Sequence, residues 1–294
     1  MFDFTKREVT VESMAQVVTL DCSNEIRIWQ VSAQPCKRLC RLVHKLKETC
    51  KSISLHPTGF LLALDGDKCI QILLVLWNTL LPHRQIPLRG RPNGVYFSSG
   101  GQLIAAGVAN KIYVFDTYTG NIVAKLYHKG DCGTVTDVCW SKDDASLFSI
   151  QGSLLIQWRV SYPEKPASIT YIGHDMHIRQ LTRGHDGDIL VVSKNMVVRV
   201  KDGSAQGYLR VTGSEITRLV LNAVKSTLLV GTSTGTIIEY CYPECFDSND
   251  NQACSSILNV YDFMVRARRG GRRRRKKSHP LLMVWCRSAR WSQL

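Results

Sequence analysis

The sequence lacks the features that mark membrane-spanning and secreted proteins. It contains no uninterrupted apolar run of about 18 residues, the length that a transmembrane helix needs. Residues 1–13 have no apolar core segment, so they do not read as a secretory signal. We therefore expect an intracellular protein. Its 294 residues, 44% of them hydrophobic, suffice for a sizeable core in one large all-β domain or two ordinary domains.

Closely paired cysteines are also missing. The eleven cysteines include no Cys-x-x-Cys motif; Cys36 and Cys40, like Cys241 and Cys245, stand four positions apart. A structural zinc site takes four ligands, and the second pair with Cys254 has no evident fourth. Disulfides are not expected without a secretory signal. The pattern predicts reduced, structural thiols and no metal site.

Catalytic motifs are absent as well. The sequence has no Gly-rich phosphate loop and no nucleophile elbow, and Asp65 and Asp67 fall in a turn instead of forming an acid–base pair. His174 and His177, with His185 nearby, raise the alternative of a metal pair, but we expect structural roles for them. The prediction is therefore no enzyme, with no catalytic, cofactor-binding or metal-binding residue and no cofactor.

The net charge of +14 is concentrated at one end of the chain. Residues 262–294 hold eleven Lys or Arg and one acidic residue, so the remainder is nearly balanced. The run 265–277 repels itself, which predicts a disordered basic tail at 264–294 after a folded domain at 1–263. Either this tail is a nuclear-localisation or phosphate-binding segment, to which Trp285 and Trp291 add weak support, or it is an unstructured end.

An internal repeat of about 42 residues is the strongest feature of the sequence. An apolar hairpin recurs with a turn of about four residues, mostly rich in Gly, Pro, Asp, Ser and Asn, the residue types that hairpin turns favour. The residues that precede successive turns are separated by 42, 43, 43 and 38 positions: Leu55, Phe97, Trp140, Arg183 and Leu221.

Two further strands belong to each repeat. A third strand recurs at 26–31, 70–75, 111–116, 155–160, 196–200 and 237–242, and a less regular strand precedes each hairpin, at 41–46, 84–89, 124–129, 169–174 and 207–212. Four strands per unit and this period indicate the blades of a propeller. We therefore predict an all-β, WD40-like β-propeller of about six blades, five complete and one split or truncated.

The two ends of the repeat array leave closure of the ring open. Residues 7–31 supply the last three strands of a unit, and 256–261 could be its missing first strand, which would build a sixth blade from both termini. Closure would remove the open edge that an incomplete blade exposes. The alternative is that the chain belongs to a longer array of repeats.

These repeats resemble the WD-repeat family over about residues 7–242, although Gly173-His174 is the one Gly-His dipeptide and Phe115-Asp116 comes nearest to a Trp-Asp ending. In that family the histidine of the dipeptide joins a hydrogen-bonded network with a serine or threonine, a strand aspartate and a tryptophan. By this resemblance Asp137 stands at the aspartate position, with His128 upstream and Trp158 at the strand end.

Segments 52–64, 80–106 and 134–148 resemble more closely the cilia- and flagella-associated WD-repeat proteins, especially the type numbered fifty-seven. The resemblance implies a protein-binding scaffold of the axoneme, concerned with inner-arm dynein assembly or regulation, with protein partners and neither a small-molecule substrate nor a membrane partner. The alternative is a nuclear or RNA-associated adaptor that uses the basic tail. The expected location is accordingly cytoplasmic and axonemal, with the nucleus as the alternative.

Overall fold

The computed structural model describes residues 14–20, 23–32, 38–130, 133–173, 178–185, 187–222, 226–246, 257–262 and 282–285. Nearly all regular structure in these ranges is β-strand, and their one helical element is a 3-10 turn at Glu244–Phe246. This described part holds no helix that is long and apolar enough to cross a membrane.

The strands form six antiparallel sheets of four strands each. The first sheet contains β24 (Leu282–Trp285), β1 (Met14–Leu20), β2 (Glu25–Ser32) and β3 (Arg38–Lys45). The second contains β4 (Ile53–Leu55), β5 (Leu61–Asp65), β6 (Cys69–Val75) and β7 (Leu80–Pro87), and the third β8 (Gly94–Phe97), β9 (Leu103–Val108), β10 (Lys111–Asp116) and β11 (Ile122–Tyr127).

The other three sheets repeat this order. The fourth contains β12 (Val135–Trp140), β13 (Ser146–Gln151), β14 (Leu154–Arg159) and β15 (Ser168–Tyr171). The fifth contains β16 (Gln180–Arg183), β17 (Ile189–Val192), β18 (Met196–Lys201) and β19 (Ser204–Arg210), and the sixth β20 (Ile216–Asn222), β21 (Thr227–Thr232), β22 (Thr236–Cys241) and β23 (Ile257–Asp262).

The sheets are the six blades of a β-propeller, as predicted. The innermost strands of consecutive blades lie beside one another, from β24 through β4, β8, β12 and β16 to β20. The five residues that define the hairpin period, Leu55, Phe97, Trp140, Arg183 and Leu221, all lie in or at the end of these inner strands. A regular sequence period therefore corresponds to a regular rotation about the propeller axis.

Apolar side chains fill the spaces between consecutive blades. Five hydrophobic clusters occupy the five junctions from the first blade to the sixth. The cluster between the third and fourth blades, for example, joins Ile112 and Leu126 to Trp140 and Trp158. Because both faces of the sheets between these junctions are buried, their middle strands are apolar on both sides, as in the second strand of the second blade, Leu61–Asp65, where every residue is buried.

The ring has two faces, which we name by the loops they carry. The upper face holds the connections from the outer strand of one blade to the inner strand of the next, and the turns between second and third strands. The lower face holds the turns between first and second strands and those between third and fourth. Every inner strand therefore runs from the upper face to the lower face.

The sequence predicts that each repeat begins with the strand that precedes its hairpin. In the structure, that strand is the outer strand of the preceding blade. The segment at 41–46 lies largely within β3, which pairs with β2 of the first blade, and 84–89 overlaps β7, which pairs with β6. The prediction that such a strand opens the blade that follows it was wrong. It completes the preceding blade, so each sequence repeat spans two neighbouring blades.

The same offset overturns the predicted first strand of the split blade. Residues 256–261 were expected to join 7–31, but β23 (Ile257–Asp262) pairs with β22 and completes the sixth blade. The strand that joins the first blade is β24, whose Leu282 lies opposite Leu20 and whose Trp285 lies opposite Val17. Both ends of the described chain do contribute to one blade, but through a later segment than predicted.

Strand β24 lies inside the predicted tail. Within residues 264–294 the structure describes Leu282–Trp285, and these four residues are β-strand in the first blade. The basic run 265–277, the rest of the predicted tail and all of 1–13 lie outside the described residues. The predicted boundary between propeller and tail at residue 263 therefore remains a proposal. Strand β24 lies beyond this boundary, but it belongs to the first blade of the propeller.

Removing β24 should destabilise the propeller. A chain that ends at residue 281 leaves the β1 edge unpaired, so we expect the melting temperature to fall by about 5–10 °C and the transition to broaden. Circular dichroism of the truncated and full chains measures this. As a control, replacing residues 272–277 by glutamine removes the charge run but keeps β24, and should leave the melting temperature unchanged. Equal melting of the truncated and full chains would contradict the assignment of β24.

Candidate binding surface

A buried carboxylate on the fourth blade connects the inner strands of three blades. Asp137 accepts hydrogen bonds through Oδ1 from the Tyr96 hydroxyl and, at 2.9 Å, from the Val138 amide. Its Oδ2 accepts the Leu181 amide of the fifth blade at 2.6 Å. Trp140 of the same inner strand donates its indole N–H to the Tyr96 carbonyl at 3.1 Å. Polar contacts thus fix the third, fourth and fifth blades at the axis.

Burial dominates the electrostatics of this network. It raises the pKa of Asp137, although the Tyr96 and backbone hydrogen bonds and the Arg218 charge act in the opposite direction. Burial and the Asp137 charge together raise the pKa of Tyr96 well above its ordinary value. The tyrosine therefore stays protonated and acts as a donor, which is a structural role.

Turns on the lower face are hydrogen-bonded from one blade to the next. His56, which is buried, contacts the Gly101 carbonyl through Nε2 at 3.1 Å. Asp144 accepts the amides of Ser99 and Gly100, each at 2.6 Å. Glycine is required at 101, because its φ is +78° and a Cβ there would lie 2.1 Å from His56 Nε2. These contacts fix the positions of three successive turns.

A buried ion pair within the fifth blade is hydrogen-bonded to the sixth blade on the lower face. Asp188 Oδ2 accepts from Arg199 Nε at 2.7 Å and from the Tyr242 hydroxyl at 3.0 Å. Burial and the Asp188 charge raise the pKa of Tyr242 to about 12. Gly184 leaves room for this hydroxyl, since a Cβ there would lie 2.5 Å from it. The expected turn around His185 is present, and it serves blade packing.

On the upper face, Asp65 fixes the loop that leads into the second blade. It is the buried last residue of β5, not a turn residue as predicted, whereas Asp67 is exposed in the turn. Its Oδ1 accepts the amides of Lys51 and Ser52 at 2.8 and 2.7 Å and the Cys50 thiol at 2.9 Å. The carboxylate therefore holds the backbone of this loop in one conformation.

The next upper loops are connected in the same way. Arg91 donates to the Thr49 carbonyl at 3.0 Å, and the Leu88 amide donates to the Lys68 carbonyl at 2.7 Å. Consequently the connection at 46–52, the turn at 66–68 and the connection at 88–93 form one continuous surface over the second and third blades. The order of residues in the sequence does not reveal this surface, because its contacts join residues that lie 13 to 42 positions apart.

The network expected from the family resemblance forms only in part. Trp158 is fully buried and donates its indole N–H to Ser149 Oγ at 2.9 Å. Asp137 has the partners described above instead of a histidine–tryptophan chain, and His128 lies half-buried in the connection between the third and fourth blades. His174 and His177 lie outside the described residues, so their expected roles stay predictions.

The described cysteines do not form a metal site. Cys40 is exposed and Cys245 is buried in the cluster between the last two blades, while Cys36 and Cys254 lie outside the described residues. In the described ranges, no three His, Cys, Asp or Glu side chains are grouped to hold a metal ion. Burial raises the pKa of the Cys139 thiol to about 12, which keeps it protonated.

A cleft of about 600 Å³ lies between the fourth and fifth blades. Its lining combines the turn residues Ser141, Lys142 and Asp143 with Phe148 and Ile189. Asp143 accepts a hydrogen bond from Ser141 at 2.5 Å, and this bond together with the Ala145 amide lowers its pKa. An ionised, exposed carboxylate in a turn is a poor general base at neutral pH.

Replacing Asp137 tests the central network. Asp137→Asn puts an amide nitrogen where an acceptor is required, so we expect a loss of about 2–3 kcal/mol in unfolding free energy by urea titration at pH 7. Because the folded-state pKa is raised, the folded state holds its proton above the unfolded pKa, so this group's contribution to stability decreases as pH rises through that window. The stability difference between wild type and variant should therefore be larger at pH 4 than at pH 7. A difference that is the same at both pH values would contradict the raised pKa.

The sequence and the fold were each compared with known proteins. No family model matches the chain. It is 22% identical to mouse cilia- and flagella-associated protein 57 over 239 residues, which are 80% of this chain and 18% of that protein. The Tetrahymena thermophila proteins 57 A and 57 C are 25% and 28% identical over 145 and 156 residues, each 49% of this chain.

The chain spans less than a fifth of the length of these curated relatives. Among solved structures, the WD40 β-propeller domain of Doa1 superposes with a TM-score of 0.64 at 15% identity, over 85% of this chain and 80% of that one. That likeness establishes the WD40 fold, and the three sequence relatives are named as cilia- and flagella-associated proteins. The chain has the WD40 β-propeller fold and is similar in sequence to cilia- and flagella-associated protein 57.

Proposed function

We propose that the chain is a non-enzymatic scaffold of a cilium or flagellum that binds partner proteins through the upper face of its propeller. The observation that carries this proposal is the similarity to a cilia- and flagella-associated protein across 239 residues, which include most of the blades. The parts of the relatives that lie beyond these blades are not represented in the match, so the propeller itself is the part to which we assign binding.

The geometry of the upper loops supports a binding role. Asp65 and Arg91 fix loop backbones against rigid strands, so these loops present a preformed surface. A preformed surface loses little conformational entropy when a partner binds. The buried carboxylates Asp137 and Asp188 are hydrogen-bonded within the fold, which favours binding over catalysis.

The sequence adds one finer detail to this proposal and one alternative to it. Participation in the assembly of inner-arm dyneins comes from the family resemblance and is part of the present proposal. The nuclear or RNA-associated alternative depends on the basic run 265–277, which lies outside the described residues. We favour the ciliary setting, because the sequence similarity bears on it directly.

The location of a tagged full chain in a flagellated cell tests the proposal. We expect the chain to remain with the axoneme after detergent removes the membrane and soluble matrix, because a scaffold is held by protein contacts. Immunoblotting of the axonemal and soluble fractions measures this. A wholly soluble, diffuse chain without an axonemal fraction would overturn the ciliary assignment.

A matched pair of variants distinguishes scaffold binding from the nuclear alternative. The variant with residues 272–277 replaced by glutamine keeps β24 and should retain the axonemal fraction. The chain truncated after residue 281 should show a smaller axonemal fraction, because the loss of β24 destabilises the propeller. Loss of a nuclear fraction in the glutamine variant, with no axonemal fraction in any form, would support the nuclear adaptor instead.

A further inference from the structure

The charges of the described loops differ between the two faces of the ring. On the lower face acidic side chains predominate: Asp143, Asp144, Glu164, Asp202 and Glu244, against Lys142 and Lys165, while the buried Asp188 is paired with Arg199. On the upper face the predominant charge is positive: Lys47, Lys51, Lys68, Arg89, Arg91, Lys129, Arg179 and Lys194, against Glu48, Asp67 and Glu215. The near-balanced charge of the propeller therefore conceals a charge difference between its faces.

Part of the positive charge on the upper face is neutralised within the fold. Glu215 accepts from Arg179 at 2.9 Å and from Lys194 at 2.8 Å, and these two cations lower its pKa. Over the second and third blades the situation differs. Lys47, Lys51, Lys68, Arg89 and Arg91, here called the cationic sector, are all exposed, and none forms an ion pair with a described residue.

The cationic sector is held in place by the contacts of the upper loops. The Asp65 carboxylate fixes the Lys51 backbone, and the Lys68 carbonyl accepts the amide of Leu88, the neighbour of Arg89. Arg91 uses one guanidinium nitrogen on Thr49, which leaves its other N–H groups directed away from that contact. The positive charges thus stand on ordered backbone and do not have to be assembled when a ligand binds.

We propose that the cationic sector is the docking site for an acidic peptide segment, rich in Asp and Glu, of a partner protein. This inference rests on the proposed scaffold function and names the chemistry of the partner. Carboxylates can form bidentate hydrogen bonds with arginine and ion pairs with lysine, and a sector made of three connected loops matches an extended segment.

The distribution of exposed aromatic side chains favours a peptide over a single-stranded nucleic acid. Binding of single strands combines cations with aromatic rings on which bases stack. The large exposed aromatics of the described turns are Phe60, Trp77, Tyr118 and Tyr162, and all four lie in lower-face turns. The loops of the cationic sector contain none of these four side chains. The sector therefore offers no aromatic ring from these turns on which a base could stack.

Charge reversal on the two faces tests this docking site in the full chain. The probe is a fluorescein-labelled peptide of alternating glutamate and glycine, and its affinity is measured by fluorescence anisotropy. We expect Lys51→Glu combined with Arg89→Glu to weaken binding at least about tenfold. The matched control, Lys142→Glu with Lys165→Glu, makes the same change of net charge on the lower face and should weaken binding less than about twofold.

The matched charge change separates the site from the basic tail, which is unaltered in both variants. Equal weakening by both pairs would show attraction by overall charge and overturn the proposal, as would a wild-type chain that binds single-stranded RNA but not the glutamate peptide. Melting curves verify folding, and Lys68→Glu with Arg89→Glu is a second upper-face variant should the first not fold. Axonemal retention without peptide binding would overturn this inference alone; peptide binding without axonemal retention would overturn the ciliary proposal alone.

Discussion

Apolar packing between the faces of neighbouring blades is the constraint on which the other features of this propeller depend. The five junctions bury nine to thirteen residues each, mostly aliphatic and aromatic, and each large side chain contributes roughly 1.5–3 kcal/mol when it leaves water. A four-stranded sheet with two apolar faces requires neighbouring blades to cover them, and the described clusters provide this cover at the five junctions between consecutive blades. The ring, the regular period and the fixed position of every loop follow from this requirement.

The sequence period made the propeller fold predictable. The pairing of the outer strands could not be predicted from it. Residues such as Phe97 and Trp140 recur because each ends an inner strand, and this recurrence is visible in the sequence. Which blade an outer strand joins depends on hydrogen bonds that the order of segments does not specify. The strand at 256–261 was therefore assigned to the first blade, whereas β23 pairs with β22. Strand β24 was missed because four residues after a long basic run show no period.

The polar contacts of the ring were less predictable than its core. Asp137 was identified as a network residue, yet its partners Tyr96 and Leu181 lie 41 and 44 positions away, each in a neighbouring blade. Asp65 looked like a turn residue because its neighbours are Gly66 and Asp67, although it ends a strand and fixes the preceding loop. Such roles depend on which blade lies alongside, so a single sequence without the ring geometry does not show them.

The placement of charge follows from the same architecture. Each blade has four antiparallel strands, so successive loops lie on opposite faces of the propeller. Charged residues in successive loops are therefore separated in space. Lys51 and Lys68 reach the upper face, while Asp143 and Asp144 reach the lower one. The total charge of the propeller therefore says little about what it can bind. A propeller whose rigid core positions cations on one face and acids on the other can orient a partner by electrostatics alone, and this property requires no pocket and no catalytic group.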